Sequence, residues 1–363
     1  MDAKLKIAVL YDRWEGEEEP TASAVTRPST DALPPCGERR KRPRQKARTK
    51  KRDKPDHEEV FEVLEKLGHK PFYYILDGRD CTLSGLAKCD ADLFFNLTES
   101  YAGDDTKDMH LAAYLELLGR PYTGAGPRAL CLAQDKSVAK KMFAFHGIQT
   151  PFFAACYKGK LEHAHDIRFP LIVKPTNEDG SIGIDATSVV TSVKELMERI
   201  HYIHESFDAP ALIEEYIEGR EIYASIIGNG TPEVLPLIEL DLSRLPQGTP
   251  HIASSEVKWD KQTEAYKLTK SAPAEDLSET AARNLADTAL ATYQALKLRD
   301  YARIDMRLTA KDEVYVIEAN PNPWLASGAE FAMAAREAGR TYPQMIGEIV
   351  SLAQARATDA VAR

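Results

Sequence analysis

The stretch from Tyr301 to Pro323, YARIDMRLTAKDEVYVIEANPNP, decides the fold of this chain. It predicts two strands, 301–308 and 313–319, which flank a turn at 309–312. Because successive side chains of a strand point to opposite faces, alternate residues share one face. The stretch therefore predicts a β-hairpin that brings its polar residues together.

Those polar residues form a pattern with chemical meaning. Arg303 and Asp305 share a face on the first strand, and Glu318 and Asn320 share a face on its partner. The oxygen atoms of Asp305, Glu318 and Asn320 are hard ligands of the kind that Mg²⁺ prefers. Arg303 beside them could stabilise charge that develops in a transition state. A surface hairpin with ordinary ion pairs is an equally good interpretation of this segment taken alone.

A second polar cluster, KPTNEDGSIG at 174–183, follows a predicted apolar strand. That strand delivers Lys174, and the backbone N–H groups of the small-residue turn after it could hold a phosphate. The chain contains no Gly-x-x-x-x-Gly-Lys-Ser/Thr sequence, so this is not a Walker loop. A hairpin turn without a ligand is the alternative.

Two more segments carry charged residues at the ends of predicted elements. The segment 212–221, LIEEYIEGRE, predicts strand, turn and strand with several carboxylates. These carboxylates could accept hydrogen bonds from an adenine amino group and ribose hydroxyls, or they could line a solvated sheet edge. The segment 134–136, Gln-Asp-Lys, begins a predicted helix, where a lone lysine is normally a surface residue.

The N-terminal part alternates strands and helices. The aliphatic run 5–11 predicts a buried parallel strand. Further elements are predicted at 57–67 (helix, with Asp56 as its N-cap), 71–76 and 92–96 (strands), and 107–118 and 128–146 (helices). This alternation predicts a doubly wound parallel α/β sheet.

Beyond residue 150 the pattern changes to α+β with antiparallel strands. Strands are predicted at 169–175, 184–191, 211–217, 221–228 and 233–240. Helices are predicted at 193–206, 277–296, 329–338 and 342–355.

Composition excludes several classes of protein. The 363 residues are 43% hydrophobic and 28% charged, which suits a soluble protein of two or three domains. A run of eighteen apolar residues is missing, which excludes a membrane-spanning helix. Five cysteines without a Cys-x-x-Cys pair argue against a disulfide framework or structural zinc and predict a cytoplasmic protein.

The segment 12–55 interrupts the N-terminal pattern. It is rich in proline and charge, and within it the basic run 39–54 holds eleven Lys/Arg residues, although the whole chain has a net charge of −9. Such a composition predicts a disordered insertion. The basic run could bind nucleic acid, an anionic membrane or an acidic partner, and a solvated tether is at least as good an interpretation.

The segment LELLGRPYTGAG at 115–126 is similar to the LLELLGIPYTGSG stretch of the D-alanine–D-alanine ligases, and Asp135-Lys136 follows it as in that family. With the four clusters above in the same order, the chain resembles the ATP-grasp superfamily over most of its length apart from the insertion. The resemblance implies a division into an N-terminal pre-ATP-grasp α/β domain, a central lid subdomain, a C-terminal catalytic subdomain and a tail. These parts are placed at 1–125, 126–211, 212–357 and 358–363.

The resemblance also implies roles for single residues. ATP phosphates would be held by Lys136, Lys174 and Ser181, with Lys258 reaching the γ-phosphate from a mobile loop. Adenine would contact Glu214 and the backbone of Ile217, and ribose would contact Glu221. Asp305, Glu318 and Asn320 would hold two Mg²⁺, with Mn²⁺ as a substitute, and Arg303 would stabilise a tetrahedral intermediate.

The chain departs from the family where amino acids bind. The family's Gly-Gly-x-Ser-Ala-Glu turn is replaced by YDRW at 11–14, and its His-Gly-x-x-Gly-Glu-Asp segment by TESYAGDD at 98–105. A tryptophan stands for the mobile-loop tyrosine, and Ala329-Glu330 for a late Ser-Leu pair. The candidate substrate contacts are Glu99, Tyr101, Trp259, Trp324 and Glu330. They predict a partner bulkier than alanine that bears an amine, or else these are loop-packing and surface residues.

The expected function is an ATP-dependent, ADP-forming ligase that joins a carboxylate to an amine through an acyl phosphate, acting on small amino-acid substrates. The alternatives are a dipeptide or natural-product ligase with substrates other than alanine, and a catalytically silent scaffold that binds through its basic segment. The resemblance also implies a homodimer.

Overall fold

The computed structural model of this protein describes residues 4–13, 55–158, 160–162, 168–178 and 180–361. Residues 14–54 of the insertion predicted at 12–55 lie outside this description, and so does the prediction that they are disordered. Asp12 itself ends the first strand, so this strand continues one residue further than predicted.

The first sheet has three parallel strands, β1 (Lys6–Asp12), β2 (Lys70–Leu76) and β3 (Leu93–Asn96), in the order β2-β1-β3. Ile7 to Leu10 are fully buried, as expected for a strand that is covered on both faces. The helices of this part are α1 (Asp56–Lys66), α2 (Asp80–Gly85) and α3 (Asp108–Leu117). The predicted parallel sheet is confirmed, α2 was missed, and Asp56 begins α1 while Pro55 takes the N-cap position.

The single helix predicted at 128–146 is wrong, because two helices occupy this segment. They are α4 (Pro127–Gln134) and α5 (Lys136–Phe145). Asp135 between them has an extended backbone, and its carboxylate accepts hydrogen bonds from the N–H groups of Ser137 (2.8 Å) and Val138 (3.2 Å). Asp135 is therefore the N-cap of α5, and this cap places Lys136 in the first turn.

The second sheet is antiparallel and has the order β5-β4-β8-β6-β7, with α6 (Val193–Phe207) packed on it. Its strands are β4 (Phe153–Tyr157), β5 (Lys160–Glu162), β6 (Leu171–Pro175), β7 (Val189–Val190) and β8 (Ala211–Glu215). The strand predicted at 184–191 is mostly wrong. Asp185 caps a 3₁₀ turn at Ala186–Ser188, which leaves only two residues to pair.

The third sheet is also antiparallel, with the order β12-β11-β9-β13-β14 and β10 paired to β9. Its strands are β9 (Arg220–Ile227), β10 (Glu233–Val234), β11 (Ile238–Asp241), β12 (Lys270–Pro273), β13 (Tyr301–Leu308) and β14 (Val314–Asn320). Two short strands replace the one predicted at 233–240, because Pro236 between them has no N–H to donate. Arg303 pairs with Asn320 and Asp305 with Glu318, which confirms the predicted hairpin.

Helices cover the third sheet and tie it to the first. One apolar cluster joins α9 (Glu279–Ala295) to the first sheet through residues of β9 and β13. A second cluster joins the other face of β1 and α1 to α10 (Glu330–Glu337) and α11 (Tyr342–Val361). Two short helices, α7 (Ser255–Trp259) and α8 (Glu264–Leu268), precede β12. Among the described residues, no helix is both long and apolar enough to cross a membrane.

Candidate functional site

A cleft lies between the second and third sheets, and most of the residues predicted to bind the nucleotide and metal line it. These are Lys174, Ser181, Glu214, Ile217, Glu221, Lys258, Asp305 and Glu318. The strands β6 and β8 of the second sheet supply one wall, and β9, β13 and β14 of the third sheet supply the other. Three separate sequence clusters therefore meet in one place.

Glu214 is the most enclosed charge in the cleft, with a side chain only 1% exposed. Its Oε2 lies 2.6 Å from Lys174 Nζ, and its Oε1 forms an ion pair with Lys140. Burial alone would raise the pKa of this carboxyl, but the two ammonium groups outweigh burial and hold the pKa below its ordinary value. Glu214 is thus ionised and has a cation on each oxygen.

Lys136, which is buried, and Glu318, which is half-buried, form a second ion pair. Lys136 Nζ lies 3.4 Å from Glu318 Oε2 and donates a hydrogen bond to the carbonyl oxygen of Glu178 at 2.7 Å. The backbone N–H of Lys136 donates to the carbonyl of Thr176, so the start of α5 holds the loop that follows β6. Burial would raise the pKa of Glu318, but the surrounding cations, Lys136 first, lower it to about 2.

Arg303 and Asp305 are joined as the alternation on β13 predicts. The guanidinium donates from Nε to Asp305 Oδ1 at 2.7 Å and from Nη2 to Oδ2 at 2.9 Å. It also lies 4.8 Å from the centre of the Tyr223 ring, and Lys258 Nζ lies 5.6 Å from the same ring. Burial raises the pKa of Asp305 although Arg303 opposes that shift.

The oxygen atoms of Asp305, Glu318 and Asn320 suit a hard cation. Asp305 and Glu318 are register partners, and Asn320 adds an amide at the next position of the same face. The amide nitrogen of Asn320 is buried without a hydrogen-bond partner among the described residues. Within those residues, no group of three His, Cys, Asp or Glu side chains could hold a metal ion. A cation at this hairpin would need the amide oxygen of Asn320 beside the two carboxylates.

At the other end of the cleft, Glu221 is held by Arg307. Arg307 Nη2 lies 2.6 Å from Glu221 Oε2, and the guanidinium also donates to the carbonyl oxygens of Gly219 (3.0 Å) and His251 (2.6 Å). A Cβ on Gly219 would lie 2.3 Å from the carbonyl oxygen of Leu308. Glycine is therefore required for the turn that brings Glu221 beside the cleft.

The small-residue loop contacts the segment that carries Lys258. Ser181 adopts a positive φ of 62°, and its hydroxyl donates to the carbonyl of Ala253 at 2.5 Å. The indole Nε1 of Trp259 donates to the carbonyl of Gly180 at 2.7 Å. The segment from Ala253 to the end of α7 and the loop after β6 thus lie against each other at the cleft.

The five candidate substrate contacts fall in two places. Glu330 lies 3.6 Å from Arg303 and accepts a hydrogen bond from Ser271 at 3.0 Å. The indoles of Trp259 and Trp324 pack edge to face with their centres 5.8 Å apart. Glu99 and Tyr101 lie instead beyond β3 in the N-terminal part, where the N–H of Glu99 donates to Asp12.

Sequence reasoning missed three residues of the site: Lys140, Arg307 and Tyr223. Lys140 is four residues after Lys136 in α5 and so lies on the same helix face, which is a detectable signal. Arg307 continues the alternation of Arg303 and Asp305 along β13. Tyr223 pairs with Asp305 across β9 and β13, a register that the sequence did not indicate.

Similarity to known proteins extends over the residues that line the cleft. The family model of the D-ala D-ala ligase C-terminus matches residues 144–351. An uncharacterized protein of Sinorhizobium fredii, y4sG, is 36% identical over 265 residues, which are 73% of this chain and 75% of that protein. A D-alanine–D-alanine ligase of Bordetella petrii is 33% identical over 282 residues, which are 77% of this chain and 81% of that ligase.

Solved structures show the same fold. The D-alanine–D-alanine ligase from Bacillus anthracis, complexed with ATP, superposes with a TM-score of 0.68 and 22% identity, covering 98% of this chain and 99% of that one. The VanG D-Ala:D-Ser ligase from Enterococcus faecalis gives a TM-score of 0.59 and 24% identity over 73% and 74% of the two chains. The chain therefore belongs to the D-alanine–D-alanine ligase family, and it is an ATP-dependent, ADP-forming ligase with the ATP-grasp fold.

Proposed function

We propose that this ligase joins two amino acids by activating the carboxylate of one as an acyl phosphate and transferring the acyl group to the amine of the other. The observation that carries the proposal is the cleft, where Lys136, Lys174 and Lys258 converge on the carboxylates of Asp305 and Glu318. Such alternating charge suits a polyphosphate with bound cations, because phosphoryl transfer needs positioning and charge compensation more than covalent catalysis.

The nucleotide would lie along the length of the cleft. Glu214 and the backbone of Ile217 would receive adenine, and Glu221, fixed by Arg307, would accept hydrogen bonds from ribose hydroxyls. Lys136, Lys174, Ser181 and Lys258 would surround the phosphates.

Asp305, Glu318 and Asn320 are proposed as ligands of Mg²⁺, for which Mn²⁺ could substitute. When bound, such an ion offsets negative charge on the phosphates. Arg303 is already aimed at this position by its two hydrogen bonds to Asp305. There it would stabilise the oxyanion that forms when the amine attacks the acyl group, with the leaving phosphate carrying away the electron pair.

The substrate end favours an amino acid other than D-alanine for at least one of the two positions. Glu330 places a carboxylate 3.6 Å from Arg303, where it would attract an ammonium group and repel a second carboxylate. The paired indoles of Trp259 and Trp324 would add stacking area for a bulkier side chain. A dipeptide or natural-product ligase is therefore the second candidate, whereas a silent scaffold has no observation in its favour.

Several properties remain part of this proposal. They are the three-part division at residues 125 and 211, a cytoplasmic location, and a homodimer. Binding of nucleic acid or an acidic protein by 39–54 concerns residues outside those that the structure describes.

The test is a screen for phosphate release with ATP, Mg²⁺ and pairs of D- and L-amino acids, followed by mass spectrometry of the products. We expect release to require two amino acids and to yield a dipeptide. Release that does not depend on any amino acid pair, with no condensed product, would overturn the assignment.

A further inference from the structure

Lys140 is a completely buried cation, and the proposed reaction assigns no role to it. Its ammonium group forms an ion pair with Glu214 and donates a hydrogen bond to Thr150 Oγ1 at 2.6 Å. Burial lowers the pKa of Lys140 to about 8, against the pull of Glu214. An enclosed lysine is costly, so its presence beside the proposed adenine contact calls for an explanation.

Lys174 has two possible partners, the carboxylate of Glu214 and a phosphate of the nucleotide. In the structure, Lys174 neutralises Oε2 of Glu214 at 2.6 Å. If Lys174 turns to a phosphate and Oε2 accepts from the adenine amino group, Glu214 loses one of its two cations. Without Lys140 it would then be a buried carboxylate with no opposite charge in contact, which favours protonation.

We propose that Lys140 is a positioning residue which keeps Glu214 ionised and fixed while Lys174 serves the phosphates, and which thereby sets the preference for an adenine base. The inference rests on the proposed ATP site. The inference concerns the selection of adenine over other bases, and ligase activity by itself does not require such selection.

The surroundings of Lys140 fit this task. Thr150 accepts from Lys140 and in turn donates its hydroxyl hydrogen to the carbonyl oxygen of Val316 at 2.8 Å. The Val316 N–H donates to the carbonyl of Gln149 at 2.8 Å, so this loop is fastened to β14 from both sides. The ammonium group also lies 5.9 Å from the centre of the Phe153 ring. Lys140 is therefore held by groups that the nucleotide does not need, and it can stay with Oε1 when Lys174 moves.

The chemistry of the base makes the role measurable. An ionised Glu214 accepts from the 6-amino group of adenine and repels the 6-oxo group of hypoxanthine. A protonated Glu214 carries an O–H that can donate to that oxo group. Loss of the Lys140 charge should therefore weaken ATP binding and relax discrimination against inosine triphosphate.

The experiment compares the dissociation constants of ATP and inosine triphosphate by calorimetry, with Mg²⁺ and without amino acids. The preference for ATP is the dissociation constant of inosine triphosphate divided by that of ATP. In Lys140→Gln, which retains hydrogen bonding and loses the charge, this ratio should fall about tenfold, the scale of one charge-assisted hydrogen bond. Lys140→Arg should restore most of the ratio. Lys141→Gln, which changes an exposed lysine of the same helix, should leave it unchanged.

Several results would overturn the inference. One is a folded Lys140→Gln protein in which the ratio of the two dissociation constants is unchanged. A fall in melting temperature alone would then show that Lys140 has only a structural role. Another is an additive effect of Lys140→Gln in a Glu214→Gln background, because Lys140 would then act elsewhere. If Lys140→Gln does not fold, Thr150→Val loosens the same lysine and should lower the ratio about threefold, and an unchanged ratio there would equally refute the role.

The proposed function is tested separately by the wild-type protein. Failure of the wild type to bind ATP would remove the nucleotide site itself. Tight binding of ATP with no change in any Lys140 variant would leave the proposed function standing and remove this inference alone.

Discussion

Glu214 in the cleft is buried and Asp12 at the end of β1 is half-buried, and the surroundings of the two carboxylates differ in kind. Glu214 has a lysine on each oxygen, and its pKa is held below the ordinary value. Asp12 accepts from the Ser100 hydroxyl at 2.5 Å and the Glu99 N–H at 2.9 Å, and burial raises its pKa to about 6. In the cleft, the charge of Glu214 is balanced by two lysines. At the end of β1, Asp12 instead accepts hydrogen bonds from neutral groups.

This difference separates two parts of the proposed reaction. In the cleft, the residues that match the family's nucleotide and metal pattern are brought together. At the edge of the first sheet, the segments 11–14 and 98–105 depart from the family pattern, and Asp12 and Glu99 are in contact there. We infer that the nucleotide chemistry is that of the family and that the amino-acid specificity has changed.

The largest effect should come from the charges of the cleft. Glu318→Gln and Asp305→Asn should each lower kcat by about a thousandfold, as when one charge-compensating group is lost from phosphoryl transfer. The measurement is ADP formation at saturating ATP and Mg²⁺, with circular dichroism to show that the variants fold. Glu313→Gln, an exposed carboxylate on the same hairpin, is the matched control and should retain full activity. Near-normal Mg²⁺-dependent turnover in either cleft variant would contradict the assignment of the metal ligands.

A smaller effect should follow from changing the substrate end alone. Glu330→Leu removes the carboxylate beside Arg303 and gives this position the leucine of the family's late Ser-Leu pair. We expect kcat/KM for D-alanine to rise about tenfold and that for an amine-bearing substrate to fall by a similar factor, the value of one charged contact. The KM for ATP should change little. A wild-type protein that uses D-alanine with the highest kcat/KM and forms D-alanyl-D-alanine would refute this prediction.

The hairpin and its polar face could be predicted from sequence because all of their determinants are local. Alternation places Arg303 and Asp305 together, and the short turn fixes their partners Glu318 and Asn320. The break between α4 and α5 was missed because Asp135 lies among good helix formers, and only its capping hydrogen bonds interrupt the helix.

Contacts between distant segments were the part that sequence could not provide. Lys140 lies on α5 and Glu214 on β8, so their ion pair depends on how α5 packs against the second sheet. Likewise, nothing local indicates that Trp259 on α7 binds the carbonyl of Gly180 or meets Trp324. The roles of single residues came from the family resemblance, and their grouping in one cleft came from the structure.

The raised pKa of Asp12 predicts a moderate effect on stability with a definite sign. Its folded value of about 6 lies above the ordinary 3.8, so the stabilisation from its protonated form is present at low pH and is lost as pH rises through 6. Asp12→Asn keeps an acceptor for Glu99 N–H and removes the charge. It should raise the free energy of unfolding by about 1–2 kcal/mol at pH 7.5.

The gain should vanish near pH 4, where Asp12 itself is protonated. Urea unfolding at the two pH values measures it. Asp90→Asn is the control, because Lys6 lowers the pKa of Asp90 and its pH dependence should have the opposite sign. A variant that is less stable than wild type at pH 7.5 would show that the charge of Asp12 is favourable where it stands.

The smallest effect is expected from the insertion. Replacing 15–54 by a short Gly/Ser linker should leave the melting temperature and the ATP affinity nearly unchanged, because a segment without apolar periodicity has little surface to pack. Calorimetric melting measures the melting temperature, and titration with ATP measures the affinity. A matched full-length variant with the Lys/Arg residues of 39–54 changed to Gln separates charge from chain length. A large fall in melting temperature in the deletion alone would mean that the segment packs on the body, whereas a fall in both would mean that its basic charge is what the acidic body requires.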